Sequence, residues 1–298
     1  MTGPPRPAAL GIGTATFIQQ YGLTPTGWQR PEMTLLRRAV ESGVRYLDTA
    51  ASYGDGESAI GELGGLLDTG DVRVCTKVEI TSTATEADIV RAVEASLARL
   101  RRPAVDTIMA HSASQVVLAN PALSSAWSRI KARGLVARTG ASTYGVDDAR
   151  VALGLDTCDV VQIEYSILNQ EVVRAAVAAK RSGQELVVRS VLCQGLLTAR
   201  RDAAPDEARA VKATIDDVET LAEQWRFTLP ELAIRFALDT PGVDVVLVGV
   251  GTEAELSTAL VAAGRDPLDD AQMQMLQGCD RSTLESVHPE RWGRVASQ

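Results

Sequence analysis

Short runs of β-branched and aliphatic residues alternate along this chain with longer stretches in which apolar side chains recur every three or four positions. The runs occupy residues 10–14, 44–48, 72–77, 105–111, 136–140, 158–162, 185–190 and 243–248. Between them, residues 33–42 place Leu35, Leu36 and Val40 on one stripe, and residues 86–100 space Ile89, Val93 and Leu97 four apart. That spacing gives one buried helical face. Gly43, Gly134 and Gly183 each follow a helical stretch and precede a strand, where a glycine can take positive φ. Pro230 suits the first turn of a helix that ends near Asp239. Strand and helix repeated about eight times predict an α/β fold, a (β/α)8 TIM barrel. The rival is a doubly wound sheet, but Gly11-Ile12-Gly13-Thr14-Ala15-Thr16 lacks the third glycine of its dinucleotide fingerprint.

We find no linker or low-complexity block, so residues 1–298 read as one barrel domain, with 1–7 and 287–298 as flexible tails. Two segments exceed an ordinary loop, residues 17–30 and 198–211, and both follow strand C-terminal ends. The first, with Tyr21 and Trp28, reads as a packed lip over the mouth; the second reads as mobile.

Composition narrows the partners. Thirty basic against 38 acidic residues leave a net charge of −8, which argues against a phosphate backbone as ligand. No apolar run reaches the roughly 18 residues needed to span a bilayer, and the opening residues lack an export signal's apolar core. Cys75, Cys158, Cys193 and Cys279 are far apart, which fits buried reduced thiols in a cytoplasmic protein. The two histidines, His111 and His288, exclude a multi-histidine metal centre, so no metal is expected. Nothing here requires more than a monomer or a small homo-oligomer.

In such barrels chemistry collects at the C-terminal ends of the strands. The second run ends in Asp48, with Tyr53 five residues on; the third ends in Lys77 and the fourth in His111. An ammonium beside a phenol favours phenolate and lowers its pKa, and a carboxylate holds that ammonium charged. Histidine can share the phenolic proton or fix a substrate oxygen. Such a group can protonate the alkoxide that develops when hydride reaches a carbonyl carbon.

Leu47-Asp48-Thr49-Ala50-Ala51-Ser52-Tyr53-Gly54 with Glu57, then Thr76-Lys77, then Ala110-His111-Ser112, resembles the aldo-keto reductases over residues 10–260. The resemblance implies a barrel whose Asp48, Tyr53, Lys77 and His111 move a proton while NADP or NAD supplies hydride to a small-molecule carbonyl, or takes it from an alcohol. The opening Leu10-Gly11-Ile12-Gly13-Thr14, with Tyr21-Gly22 and Thr26-Gly27, resembles a bacterial branch associated with sugar, polysaccharide or natural-product biosynthesis. By the same resemblance Gly13, Thr14, Ser142, Thr143, Gln162, Arg189, Ser190, Leu192, Gly195, Leu196, Gly249, Gly251, Thr252 and Glu255 line the coenzyme; from their own positions, Tyr21 and Trp28 on the first long loop, and Arg189, are read as facing the substrate.

Two positions depart from the family. Arg189 stands where a nicotinamide-stacking tyrosine is usual; it can stack, grip an anionic group on the substrate, or form a surface salt bridge. Glu255 replaces an arginine that holds the adenosine 2′-phosphate, and can accept from ribose hydroxyls instead. These departures keep open an isomerase, epimerase or lyase acting on an anionic sugar without net redox change. A Schiff base on Lys77 and a coenzyme-sensing subunit without turnover are further alternatives.

Overall fold

The computed structural model describes residues 8–17, 23, 29–68 and 70–288. Eight strands form one closed, all-parallel barrel in chain order. They are β1 (Ala9–Gly13), β2 (Tyr46–Asp48), β3 (Arg73–Val78), β4 (Val105–Ala110), β5 (Val136–Ser142), β6 (Val160–Glu164), β7 (Glu185–Arg189) and β8 (Val245–Gly249). β8 closes the ring on β1 through five register pairs, from Ala9 opposite Val245 to Gly13 opposite Gly249. Helices fill the crossovers: α1 (Thr34–Glu41), α2 (Gly56–Gly61), α3 (Glu86–Arg99), α4 (Gln115–Leu118), α5 (Pro121–Ala132), α6 (Gly145–Gly154), α7 (Glu171–Ala179), α8 (Lys212–Gln224), α9 (Leu229–Leu238), α10 (Glu253–Gly264) and α11 (Asp270–Gln277).

The helix starts follow from capping chemistry. Thr85 and Thr228 each accept from the third amide of α3 and α9, while Asp88 and Glu231 reach back to the cap amide. Pro230 sits in the first turn of α9, as its spacing predicts. Gly43, Gly134 and Gly183 take φ of +100°, +69° and +86°.

Side chains of a strand alternate between faces, and this alternation builds the site. Tyr46, Cys75, Met109, Val160, Val187, Val245 and Leu247 form a buried cluster of their own inside the ring. The intervening Leu47, Ile108, Val161, Val188 and Val246 belong to the larger core between sheet and helices. Two residues further along each strand, the same inward face carries Asp48, Lys77, His111, Gln162, Arg189 and Gly249. The apolar plug and the polar floor above it are consecutive layers of one barrel interior.

Residues 198–211 form short 3-10 turns, Ala199–Ala203 and Asp206–Val211. Thr198 caps the first, Arg201 Nη2 donates to both carboxylate oxygens of Glu219, and Ala208 and Val211 are buried. Glu285–Val287 forms a 3-10 turn, Val287 is buried, and His288 Nε2 lies 3.0 Å from the Ser282 carbonyl; the rest of the expected tail lies outside the described residues. Among the described residues no helix is long and apolar enough to cross a membrane.

Candidate active site

Asp48 ends β2 and Lys77 is the penultimate residue of the adjacent β3; their side chains lie inside the ring and pair at 2.5 Å. Lys77 is fully buried and donates its second hydrogen bond to the Thr49 carbonyl at 3.0 Å. Gln162 crosses the barrel to donate to the other Asp48 oxygen at 2.9 Å, and Ser142 Oγ lies 3.4 Å from Gln162 Oε1. Burial works against the Lys77 charge, but the Asp48 carboxylate, together with Tyr53 and Cys75, outweighs it and holds the ammonium above its ordinary pKa. A sealed, protonated amine cannot attack a carbonyl, which removes the Schiff-base reading.

Tyr53 comes from the loop after β2. Its approach is fixed by Ala51 donating to the Lys77 carbonyl at 2.9 Å and by the Tyr53 amide donating to Ala50 at 3.0 Å. The phenol ring meets His111 edge-on, with centroids 5.4 Å apart and planes at 82°, and Tyr53 Oη lies 3.5 Å from His111 Nε2. Lys77 Nζ stands 5.2 Å from the ring centroid. On its outer side His111 Nδ1 lies 3.1 Å from the exposed Ser52 hydroxyl.

The expected acidification of the phenol is corrected here. Burial raises the Tyr53 pKa above its ordinary value, and the opposing pull of Lys77 offsets only part of that rise. Tyr53 is therefore a phenol, not a phenolate, at neutral pH. His111 moves the other way: burial, then the charges of Lys77 and Arg189, press its pKa down to about 3. The imidazole is neutral, and one ring nitrogen can accept while the other donates.

A second buried layer supports the loop. Glu57, on α2, accepts from Thr76 Oγ1 and from Arg99 Nε, both at 2.5 Å. Thr14 Oγ1 donates to Thr49 Oγ1 at 2.8 Å, and a methyl group on Gly56 would stand 2.6–2.7 Å from those two hydroxyls. Only glycine admits so close an approach. Sequence reasoning gave Glu57 no role of its own, although a carboxylate next to a strand turn was the visible signal.

A cavity of about 310 Å³ opens beside this group. It runs from Asp48, Tyr53 and Gln162 inside the ring, past Ser190 and Gly249, to Arg200, Glu255 and Thr258, the last two on α10 in the outer layer. Gly13, Leu192 and Gly195 also face it. A Cβ built on Gly13 meets no atom of the described residues within 4 Å, so the glycine leaves that wall open for a ligand. Ser190, Cys193, Gln194 and Gly195 all have left-handed φ, +63°, +47°, +51° and +112°. That places an over-determined, strained turn on the cavity wall.

The aldo/keto reductase family model matches residues 9–281. The chain belongs to the aldo/keto reductase family. It is 22% identical to aldo-keto reductase YhdN of Bacillus subtilis over 94% of this chain and 92% of that protein. It is 30% identical, over 62% of each chain, to the NADH-specific methylglyoxal reductase of Escherichia coli. Aldo-keto reductase AKR11C1 of Bacillus halodurans, in its holo form, superposes with a TM-score of 0.73 at 22% identity, covering 92% of both chains. As an aldo-keto reductase the chain is an NAD(P)-dependent oxidoreductase acting on carbonyls. Among the described residues no group of three or more potential ligands is placed to hold a metal ion.

The positions at which this aldo-keto reductase departs from its family are now resolved. Arg189 is no surface salt bridge: its side chain is 12% exposed and it lines the cavity. Its guanidinium carbon lies 4.1 Å from the Tyr144 ring centroid, it donates to the Thr143 carbonyl at 2.8 Å, and Glu164 stands 3.9 Å away. Tyr144 and Glu164 were missed, because neither shows its function by periodicity or motif. Glu255 lines the cavity with its side chain about one-third exposed, and its carboxylate accepts from Arg200 and, at 2.7 Å, from the Gly251 amide. Thr14, Ser142, Thr143 and Leu196 are buried rather than on the cavity wall. Gly251 and Thr252 lie beside it, Thr252 as the cap of α10. Tyr21 and Trp28 lie outside the described residues.

Proposed function

We propose that this enzyme reduces the carbonyl of a small, anionic or sugar-derived substrate, with Tyr53 as the general acid. The observation that carries the reading is a protonated phenol on the cavity wall, backed by a sealed Lys77–Asp48 pair and edged by a neutral His111. Gln162, Ser190, Leu192, Gly195 and Gly249 would hold the coenzyme along the cavity, and the open wall at Gly13 accommodates its bulk. The bound coenzyme supplies hydride.

The protein supplies everything else. As negative charge grows on the carbonyl oxygen, Tyr53 Oη donates its proton to that atom. The ammonium of Lys77 near the ring then stabilises the phenolate left behind, while Asp48 and Gln162 prevent the lysine from moving. His111 Nε2 fixes the oxygen between imidazole and phenol without adding charge. Arg189, a cation on the same wall, favours a substrate carrying a carboxylate or phosphate. The name of the Escherichia coli relative adds a small dicarbonyl to the panel worth testing.

The test is oxidation of NADH or NADPH with a panel of neutral aldehydes, a dicarbonyl, keto acids and keto-sugars. Tyr53→Phe should lower kcat by about 100- to 10,000-fold, the worth of a positioned proton donor. An unchanged kcat refutes Tyr53 as the acid, and equal kcat/KM for neutral and anionic substrates refutes the role of Arg189.

A further inference from the structure

Adjacent residues of one turn meet both nitrogens of the His111 ring. Ser52 Oγ lies 3.1 Å from Nδ1, and Tyr53 Oη lies 3.5 Å from Nε2. The backbone fixes this arrangement from two sides. Ala51 donates to the Lys77 carbonyl and His111 donates to the Val78 carbonyl, both at 2.9 Å, so consecutive carbonyls of β3 carry the two partners. The Tyr53 amide closes the turn on Ala50. A contact of 3.1 Å is a hydrogen bond, whereas 3.5 Å is at the outer limit of one. Ser52 is therefore the firmer partner of the ring, and among the described residues it is the side chain that reaches Nδ1. It stands on the exposed, outer side of the imidazole, so its effect on a substrate oxygen passes through the ring.

We infer that Ser52 is a positioning residue: its hydroxyl donates to His111 Nδ1 and so keeps the single imidazole proton on Nε2, the nitrogen beside Tyr53. This rests on the reading of Tyr53 as the acid. A neutral imidazole carries one ring proton, and the partner of one nitrogen decides which nitrogen holds it. Burial, with the charges of Lys77 and Arg189, keeps a second proton off the ring. With the proton on Nδ1, the bare Nε2 lone pair would compete for the Tyr53 proton and repel the substrate oxygen as its negative charge grew. With the proton on Nε2, the imidazole donates to that oxygen, and afterwards to the Tyr53 phenolate. Both ends of the proton transfer thus require the same tautomer, and it leaves Nδ1 an acceptor in need of a donor. The Ser52 hydroxyl fills that need from a turn already in place, so the ring is set before the reaction and does not reorganise during it.

Nitrogen NMR of the histidine-labelled enzyme reads the tautomer without coenzyme or turnover, because the protonated and bare nitrogens of a neutral imidazole resonate far apart. The chain has two histidines, so His288→Gln assigns the signals. In the native enzyme at pH 7, Nε2 should carry the proton. Ser52→Ala should populate the Nδ1 tautomer and lower kcat by about tenfold, less than the loss of a direct oxyanion donor. Coenzyme affinity, titrated by fluorescence, should not change. Ser52→Thr keeps the hydroxyl and should restore both tautomer and kcat. A proton on Nδ1 in the native enzyme, an unmoved tautomer in Ser52→Ala, or full kcat despite a shifted tautomer overturns the inference. So does a loss of kcat that Ser52→Thr shares. If the tautomer follows the hydroxyl as expected while Tyr53→Phe keeps its kcat, the role of Ser52 on the ring stands and Tyr53 falls as the acid.

Discussion

Burial, more than any single neighbour, sets which protons Tyr53 and His111 carry. His111 titrates near 6.5 when exposed to water, but in the folded enzyme its pKa is about 3. Between those values the unfolded chain binds a proton that the folded enzyme refuses, so stability is complete above about pH 6.5 and is lost as pH falls toward 3. Thermal melts at pH 7 and pH 4 check this, with a smaller loss on acidification expected for His111→Gln. An equal loss in both proteins would mean that the imidazole is not held neutral. The same neutrality means that reductive kcat should show no imidazole ionisation between pH 5 and 9. Charge residues at strand ends were readable as candidates from the sequence, and Asp48, Lys77 and Tyr53 do converge. The sign of the Tyr53 shift was not readable, because it depends on how deeply the loop after β2 buries the ring, and no residue of that loop encodes depth.

Among the secondary-structure elements, the strands carry information at two levels. Their apolar runs announce where they lie; their alternation announces which side chains face inward. Asp48, Lys77 and Gln162 each fall two places beyond a plug residue, Tyr46, Cys75 and Val160. That parity was present in the sequence and could have linked Gln162 to the others without any motif. Close backbone contacts were not visible in this way. Gly140, in β5, would place a methyl group 1.9 Å from the Val160 carbonyl oxygen of β6. Gly140→Ala should therefore force β5 away from β6 and cost about 3 kcal/mol or more, read as a lower melting temperature or loss of folded protein. The turns of residues 198–211 were not legible for a different reason. They are tied by ion pairs to α8 and α10, through Arg201–Glu219 and Arg200–Glu255, and long-range pairing leaves no periodic trace.

For the whole molecule, the eightfold alternation of strand and helix was legible almost throughout, since each unit needs only local pattern and a glycine or cap at its ends. The barrel also divides labour between its rims. At the rim opposite the cavity, Glu185 accepts from Arg73 at 2.6 Å and Arg138 at 2.5 Å, tying β7 to β3 and β5. Glu185→Gln should lower the melting temperature and leave kcat unchanged; a lowered kcat would show that this rim is coupled to the chemistry. Finally, the sheet is a ring in which β1 is bonded to β8, so each strand has a neighbour on both flanks. No strand can fray alone, because releasing any one tears two ladders and empties the plug inside. Amide deuterium uptake in β1 to β8 should accordingly proceed at nearly a single slow rate, set by collapse of the entire ring rather than by excursions of its parts.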